Sequence, residues 1–198
     1  MAVYLPNLNH KLSLNVFYSQ LSNVIDLEEF PNTNPGYQNY DDRVSKGIEF
    51  EYFYRPKVKH NLYFNATYLD TDYVIPPEDE SISIEQSMPD ISKIMFKAMY
   101  IYRHTKNFTL GTTWRYFSET TSTELDWIKN NAGKDPTITE HHILDETITY
   151  RFSPSSQARL TIKNLLNSDA RVPSYYYRDQ GGMQREGTNY FLTYIQTF

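Results

Sequence analysis

The sequence contains no cysteine. That excludes a disulfide framework and all thiolate chemistry, whether nucleophilic or metal-binding. It also lacks any stretch approaching the about 18 consecutive apolar residues that a membrane-crossing helix needs. The mean hydropathy is -0.63. Neither fact excludes a membrane location, because strands of a membrane barrel alternate lipid-facing with lumen-facing residues and leave only a weak hydropathy signal. There is no long basic tract, and the net charge is -5, so the electrostatic footprint of a nucleic-acid-binding protein is missing. No segment sustains a helical period with caps at its ends. No nucleophile lies in a pattern that pairs it with a base, so we expect no enzymatic activity and no cofactor. Met1-Ala2-Val3-Tyr4-Leu5-Pro6 has no basic segment leading into an apolar run and is not expected to be a signal peptide.

What the chain does have is aromatic residues, 16% of the total, with 18 Tyr and 11 Phe. Aromatic and β-branched residues favour strands. Alternate-residue patterning recurs in segment after segment and predicts strands near 10–23, 43–55, 60–73, 91–103, 107–118, 140–152, 157–166 and 188–198. In the second, Ile48, Phe50, Tyr52 and Tyr54 alternate with Glu49, Glu51, Phe53 and Arg55. In the fourth, Ile94, Phe96, Ala98, Tyr100 and Tyr102 alternate with Met95, Lys97, Met99 and Arg103. The connections alternate too. Pro56–Lys59, His104–Lys106 and Ser153–Ser156 are short, whereas 24–42, 74–90, 119–139 and 167–187 are long and polar. Short turns on one side and long loops on the other describe an up-and-down antiparallel membrane barrel.

A soluble antiparallel sheet also alternates apolar with polar residues. Three features favour lipid. Tyr52, Tyr54, Tyr100, Tyr102, Phe108, Tyr150 and Phe152 cluster at the short-turn ends of the apolar face, where a membrane girdle belongs. The opposite face carries Glu49, Glu51, Lys93, Lys97, Arg115 and Lys163 in mid-strand, which a wide aqueous lumen tolerates. The last strand runs out at Phe198. Glu146 breaks the pattern, because it shares parity with Ile148 and Tyr150. We expect it near the outer rim, or on a strand whose register shifts at a bulge.

The C-terminal residues carry a more specific signal. Leu160-Thr161-Ile162-Lys163-Asn164-Leu165-Leu166-Asn167, followed by Gly187-Thr188-Asn189-Tyr190-Phe191-Leu192 and terminal Phe198, resembles the closing strands of TonB-dependent outer-membrane receptors. Ser45–Glu51 and Tyr63–Asp70 resemble strand patterns that recur in that family. The resemblance implies that 1–198 is the C-terminal part of the receptor's barrel domain, supplying about eight of roughly 22 strands. It implies a place in the outer membrane of a Gram-negative bacterium and a plug domain that precedes this segment and couples to TonB. It also implies a scarce solute as cargo, a ferric siderophore first. Tyr194 and Phe198 would then belong to a C-terminal signal read by the barrel-assembly machinery.

The candidate ligand contacts are Tyr175, Tyr176, Tyr177 and Arg178 in the last long loop. Rings beside a guanidinium suit an anionic ferric chelate, although loop packing is the plainer reading of the same residues. His141-His142 with Asp145 and Glu146 invites a metal site, but adjacent residues of a strand point to opposite faces, so none is expected. Glu49 and Glu51 share a face and fit a lumen wall better than an acid–base pair. Glu78-Asp79-Glu80 reads as a solvated loop, and Gly181-Gly182 as a loop flexure, since no helix follows to make a phosphate cradle. Two alternatives stay open. One is a self-contained eight-stranded outer-membrane barrel with a structural or adhesive role. The other is a soluble ligand-binding β-barrel, which would turn the Tyr pairs into a core.

Overall fold

The computed structural model describes residues 2–5, 9–28, 36–40, 42–75, 84–87, 91–121, 136–174 and 181–198. In these residues every regular element is a strand. In chain order they are β1 (Ala2–Leu5), β2 (His10–Leu21), β3 (Val24–Glu28), β4 (Gly36–Tyr40), β5 (Asp42–Lys57), β6 (His60–Ile75), β7 (Ile84–Ser87) and β8 (Ile94–Arg103). Then come β9 (Phe108–Phe117), β10 (Thr120–Thr121), β11 (Thr137–Ile138), β12 (His141–Ser153), β13 (Ser156–Lys163), β14 (Arg171–Val172), β15 (Met183–Gln184) and β16 (Asn189–Gln196).

One antiparallel sheet runs in the order β1-β2-β5-β6-β8-β9-β12-β13-β16, with β7 added along the far end of β6. Each long strand pairs with the next long strand in the chain, as in a meander. Three small hairpins, β3–β4, β10–β11 and β14–β15, grow out of the long connections. β1 and β16 are the two edges and do not pair with each other. The sheet is therefore open, and the closed eight-stranded cylinder is not what forms.

The register keeps one parity across the long strands. Leu12 lies opposite Tyr52, Tyr52 opposite Phe64, Phe64 opposite Ala98, Ala98 opposite Trp114, and Trp114 opposite Leu144. Further along, Ile148 faces Leu160, and Leu160 faces Leu192. Partners across a ladder share a face. The even-numbered residues of the long strands thus form one continuous surface and the odd-numbered residues the other. Register irregularities occur only next to short turns, between Tyr54 and Lys57 and between Arg151 and Ser153.

The even face is uncovered. Val16 is 69% exposed, Tyr190 69% and Leu192 79%, so these side chains are not the inside of a soluble body. Among the described residues the buried apolar side chains are Ile138, Ile143 and Ala170. Ile143 is odd-numbered and lies toward the long-loop end of β12. Gly182 sits so close to Ile138 that a Cβ there would come 3.1 Å from Ile138 Cδ1. Gly181 and Gly182 have φ of 71° and 80°, a conformation that side chains disfavour. The small core therefore lies where the loop hairpins fold in against the long-loop end of the sheet.

Two strand glycines play different parts. At Gly47 a Cβ would meet the Tyr68 carbonyl oxygen and lie 2.7 Å from Phe17 Cζ. Phe17 is its cross-strand partner, so the ring covers the bare backbone. At Gly111 the nearest atom to a Cβ is the Thr147 carbonyl oxygen at 3.8 Å, an ordinary contact. Gly47→Val should destabilise the full-length protein by about 1–3 kcal/mol through overpacking. Gly111→Val should gain about 0.5–1 kcal/mol by removing a flexible residue from a strand. Urea unfolding in phospholipid vesicles, followed by Trp fluorescence, separates the two; equal effects would mean that both the Phe17 ring and the Tyr68 backbone give way at no cost.

Candidate functional site: two faces of one sheet

At the short-turn end the even face carries a belt of rings. His10 stacks on Tyr54 at 4.2 Å, and its Nδ1 lies 2.7 Å from the Tyr52 hydroxyl. His60 stacks on Tyr102 at 5.0 Å, and its Nδ1 lies 2.8 Å from the Tyr100 hydroxyl. His104 continues the row, meeting the Tyr102 hydroxyl at 3.2 Å and standing edge-on to Phe108 at 6.2 Å. Tyr150 is the cross-strand partner of Phe108 and lies 5.0 Å from Phe152, which approaches Tyr194 at 6.5 Å. All seven rings named in the sequence are thus brought to one end of one face. The three histidines that link them were missed. Their signal was His10 and His60 at the first position of β2 and β6, with the same parity as the tyrosines. Phe198 lies beyond the end of β16 and is fully exposed.

The odd face is polar and internally bonded. Asn15 donates to Glu49 at 3.2 Å, and the Tyr63 hydroxyl donates to Glu51 at 3.0 Å. Arg115 and Asp145 form an ion pair across β9 and β12. Lys163 lies 5.0 Å above the Phe191 ring, a cation–π contact. Between β8 and β13 a shallow groove of about 220 Å³ is lined by Met99, Ile101, Thr109, Gly111, Thr147 and Arg159 among others. Gly111 leaves the dip. Such a wall presents hydroxyls and a guanidinium beside apolar side chains. His141 stacks on Phe117 on the odd side, while His142 stacks on Trp114 on the even side. Their opposed directions rule out a shared chelate.

At the other end of the even face, Asp70 bridges two lysines, with Lys46 at 3.3 Å and Lys93 at 2.7 Å; Lys93, expected in mid-strand on the charged face, instead precedes β8 and reaches across to Asp70. The hydrogen bond to Asp70 pushes the Lys93 ammonium above its ordinary value.

The Asn-Leu-Leu-Asn segment has a clear local role. Asn164 and Asn167 adopt φ of 48° and 50°, which asparagine tolerates better than most residues. Asn164 is buried. Its backbone N–H donates to Asp145 at 2.9 Å, and its carbonyl accepts from Thr188 Oγ1 at 2.7 Å. Its side chain accepts from Ser168 N–H at 2.9 Å and donates to the Ser168 carbonyl at 3.0 Å. Asn167 Oδ1 accepts from Thr188 N–H at 3.2 Å. The two asparagines pin both ends of the last long connection. Arg115 orients Asp145, so the clamp reaches the odd face.

Residues 3–165 match the family model "TonB dependent receptor-like, beta-barrel". The chain belongs to this TonB-dependent receptor family. The family is one of outer-membrane receptors and transporters of Gram-negative bacteria rather than of enzymes. Solved structures share the barrel fold. The ferric-catecholate import receptor Fiu of Escherichia coli K12 superposes with a TM-score of 0.66 at 16% identity, over 96% of this chain and 25% of that one. The ferric enterobactin receptor PfeA of Pseudomonas aeruginosa gives 0.69 at 11%, over 100% and 30%. The copper transporter OprC gives 0.72 at 12%, over 100% and 30%. This segment therefore spans less than a third of the receptors it resembles. A search of curated proteins finds no match.

The candidate ligand contacts Tyr175, Tyr176, Tyr177 and Arg178, and the acidic run Glu78-Asp79-Glu80, lie outside the described residues. Glu146 is placed differently from the sequence expectation. β12 pairs with β9 without a break from His141 to Tyr150, so no bulge rotates Glu146 away. It sits mid-strand on the even face between Thr112 and Ile162. The Thr112 hydroxyl donates to its Oε2 at 2.8 Å, while Oε1 is buried without a partner.

Two predictions follow the geometry. Glu146→Leu should stabilise the receptor toward urea in vesicles by about 1–2 kcal/mol, because a carboxylate facing hydrocarbon is costly; destabilisation would show that the Thr112 bond outweighs that cost. Asn164→Ala should cost about 1–3 kcal/mol by unpairing the Ser168 N–H and carbonyl from its amide and by placing alanine at a left-handed φ. Limited proteolysis should then cut within 165–188 before any other part of the sheet.

Proposed function

We propose that residues 1–198 are the C-terminal wall of the barrel of an outer-membrane receptor that imports a scarce solute, a ferric siderophore in the first place. The observation that carries this reading is the separation of an exposed, largely apolar face from a polar one across the long strands, broken in mid-strand by Glu146. On this reading the even face meets hydrocarbon. Tyr52, Tyr54, Tyr100, Tyr102, Phe108, Tyr150 and Phe152 lie at the headgroups of the periplasmic leaflet. The odd face meets water and the plug domain, through which TonB drives uptake. Tyr194 and Phe198 belong to the strand that the barrel-assembly machinery reads. Tyr175–Arg178 lie in the last exterior loop and bind the anionic chelate by cation–π contact and charge-assisted hydrogen bonds. The names of Fiu and PfeA, a ferric-catecholate and a ferric enterobactin receptor, support that choice of cargo.

A second cargo class has its own observation. All acidic residues except Glu49 and Glu51 fall in 26–42, 70–90, 119–146 and 169–186, the stretches at the long-loop end. The first two of these stretches contain no Lys or Arg. An acidic mouth attracts cations, and the matched OprC is a copper transporter.

Uptake in a strain whose only receptor is the full-length protein distinguishes them. Labelled ferric catecholate should accumulate in a TonB-dependent manner, and Arg178→Gln should weaken its binding about tenfold, the loss of one charge-assisted hydrogen bond. Accumulation of copper ions with no ferric chelate uptake would replace the siderophore reading. No TonB-dependent uptake of either would overturn the receptor assignment.

A further inference from the structure

The short-turn end of the sheet is free of negative side chains. Residues 52–69, 91–118 and 147–168, which contain the three short turns, hold no Asp or Glu. They do hold Arg55, Lys57, Lys59, Arg103, Lys106 and Arg151 around the turns. Most of these share the odd parity of the lumen wall, but one does not stay there. The irregularity between Tyr54 and Lys57 brings Lys57 opposite His60. Cross-strand partners share a face, so Lys57 is turned onto the even face beside the rings. Lys59 adjoins it in the turn, and the turn is anchored: Arg103 N–H donates to the Lys59 carbonyl at 2.8 Å.

His60 and Tyr100 add a donor. An imidazole and a phenol together bring at least two polar hydrogens, and the 2.8 Å contact between Nδ1 and the hydroxyl uses one. Whichever ring donates, one N–H or O–H remains for an outside acceptor, and no described residue takes it. Lys57 and Lys59 likewise form no ion pair with any described residue. One cation thus flanks a spare neutral donor on the even face, and a second stands in the adjoining turn. The sister triad shows what the rings alone amount to. His10, Tyr52 and Tyr54 repeat the arrangement with a 2.7 Å contact, but the residues before His10 are Pro6-Asn7-Leu8-Asn9, without charge.

We propose that Lys57, Lys59, His60 and Tyr100 seat the phosphate of an anionic phospholipid of the periplasmic leaflet, a phosphatidylglycerol-type headgroup. The lysines select against a headgroup that carries its own ammonium. This inference rests on the outer-membrane reading above.

The full-length receptor, placed in nanodiscs of mixed phosphatidylglycerol and phosphatidylcholine with matched acyl chains, provides the test. Mass spectrometry of the lipid that stays bound after detergent extraction reads the preference. The wild type should favour phosphatidylglycerol roughly 10- to 30-fold, the expected effect of two surface lysines. K57S/K59S should fall toward parity, H60N should lose part of the preference, and K11S, whose lysine lies on the odd face, should keep it. An unchanged preference in K57S/K59S, or none in the wild type, would overturn the proposal. Displacement of the lipid by inorganic phosphate would also overturn it, by assigning the seat to free phosphate. Failure to enter nanodiscs, seen as loss of the heat-modifiable gel shift of a folded barrel, would instead overturn the outer-membrane reading.

Discussion

Everything in this sheet depends on register. In a strand the side chains change face at every residue, so a slip of one position would move a whole strand's apolar set to the wrong side. Across the long strands no such slip occurs: from Leu12 through Tyr52, Phe64, Ala98 and Trp114 to Leu144, the same parity stays on the same face. The two irregularities fall beside short turns, where an extra residue re-aims side chains without disturbing the span above. A soluble sheet would bury its apolar face against a second layer. Here that face is left open and the packed residues lie on the other side, under the loops. Lipid is the solvent in which that arrangement makes sense, because it removes the need for a second layer while the ladders satisfy the backbone.

The fold was legible because parity is written directly into the sequence. The expected strand near 43–55 corresponds to β5 at Asp42–Lys57, and the one near 140–152 to β12 at His141–Ser153. What escaped were elements whose existence depends on neighbours. β1 is four residues long and exists by pairing with β2. β10 and β11 are two-residue strands that meet across a long connection. Neither has room to show a period. The ring belt was half legible. Tyr and Phe announced themselves by type and parity, whereas His10, His60 and His104 became members only when the hairpins set them against tyrosine hydroxyls.

Asn164 and Glu146 show two ways in which a local residue type can be read. The Asn164-Leu165-Leu166-Asn167 segment looked like a family signature, and the geometry supplies its cause. Both asparagines take left-handed backbone conformations, and their amides hold the chain on each side of the last connection. A motif of this kind is visible in sequence because few residues can replace it. Glu146 was visible as an exception, and its parity alone was the right guide. The sequence expectation moved it to the rim to avoid the cost of a charge in lipid. The register keeps it in mid-strand, with Thr112 meeting one oxygen and the other unpaired.

The charge distribution adds an axis to this two-faced sheet. Faces separate apolar from polar, while ends separate sign: acids gather at the long-loop end and the short turns hold Lys and Arg alone. The two divisions have different physical origins. The first is imposed by hydrocarbon and acts on every strand. The second costs the fold nothing, since surface charges contribute little to stability singly, and so it is free to be set by what each end meets. At the long-loop end the cations Lys46 and Lys93 are tied to Asp70, and local pairing absorbs their charge. At the short turns no described acid pairs with Lys57 or Lys59, and on the reading proposed above those cations find their counter-charge outside the sheet. A membrane surface with phosphate at that level supplies it without any change in the strands that span the bilayer.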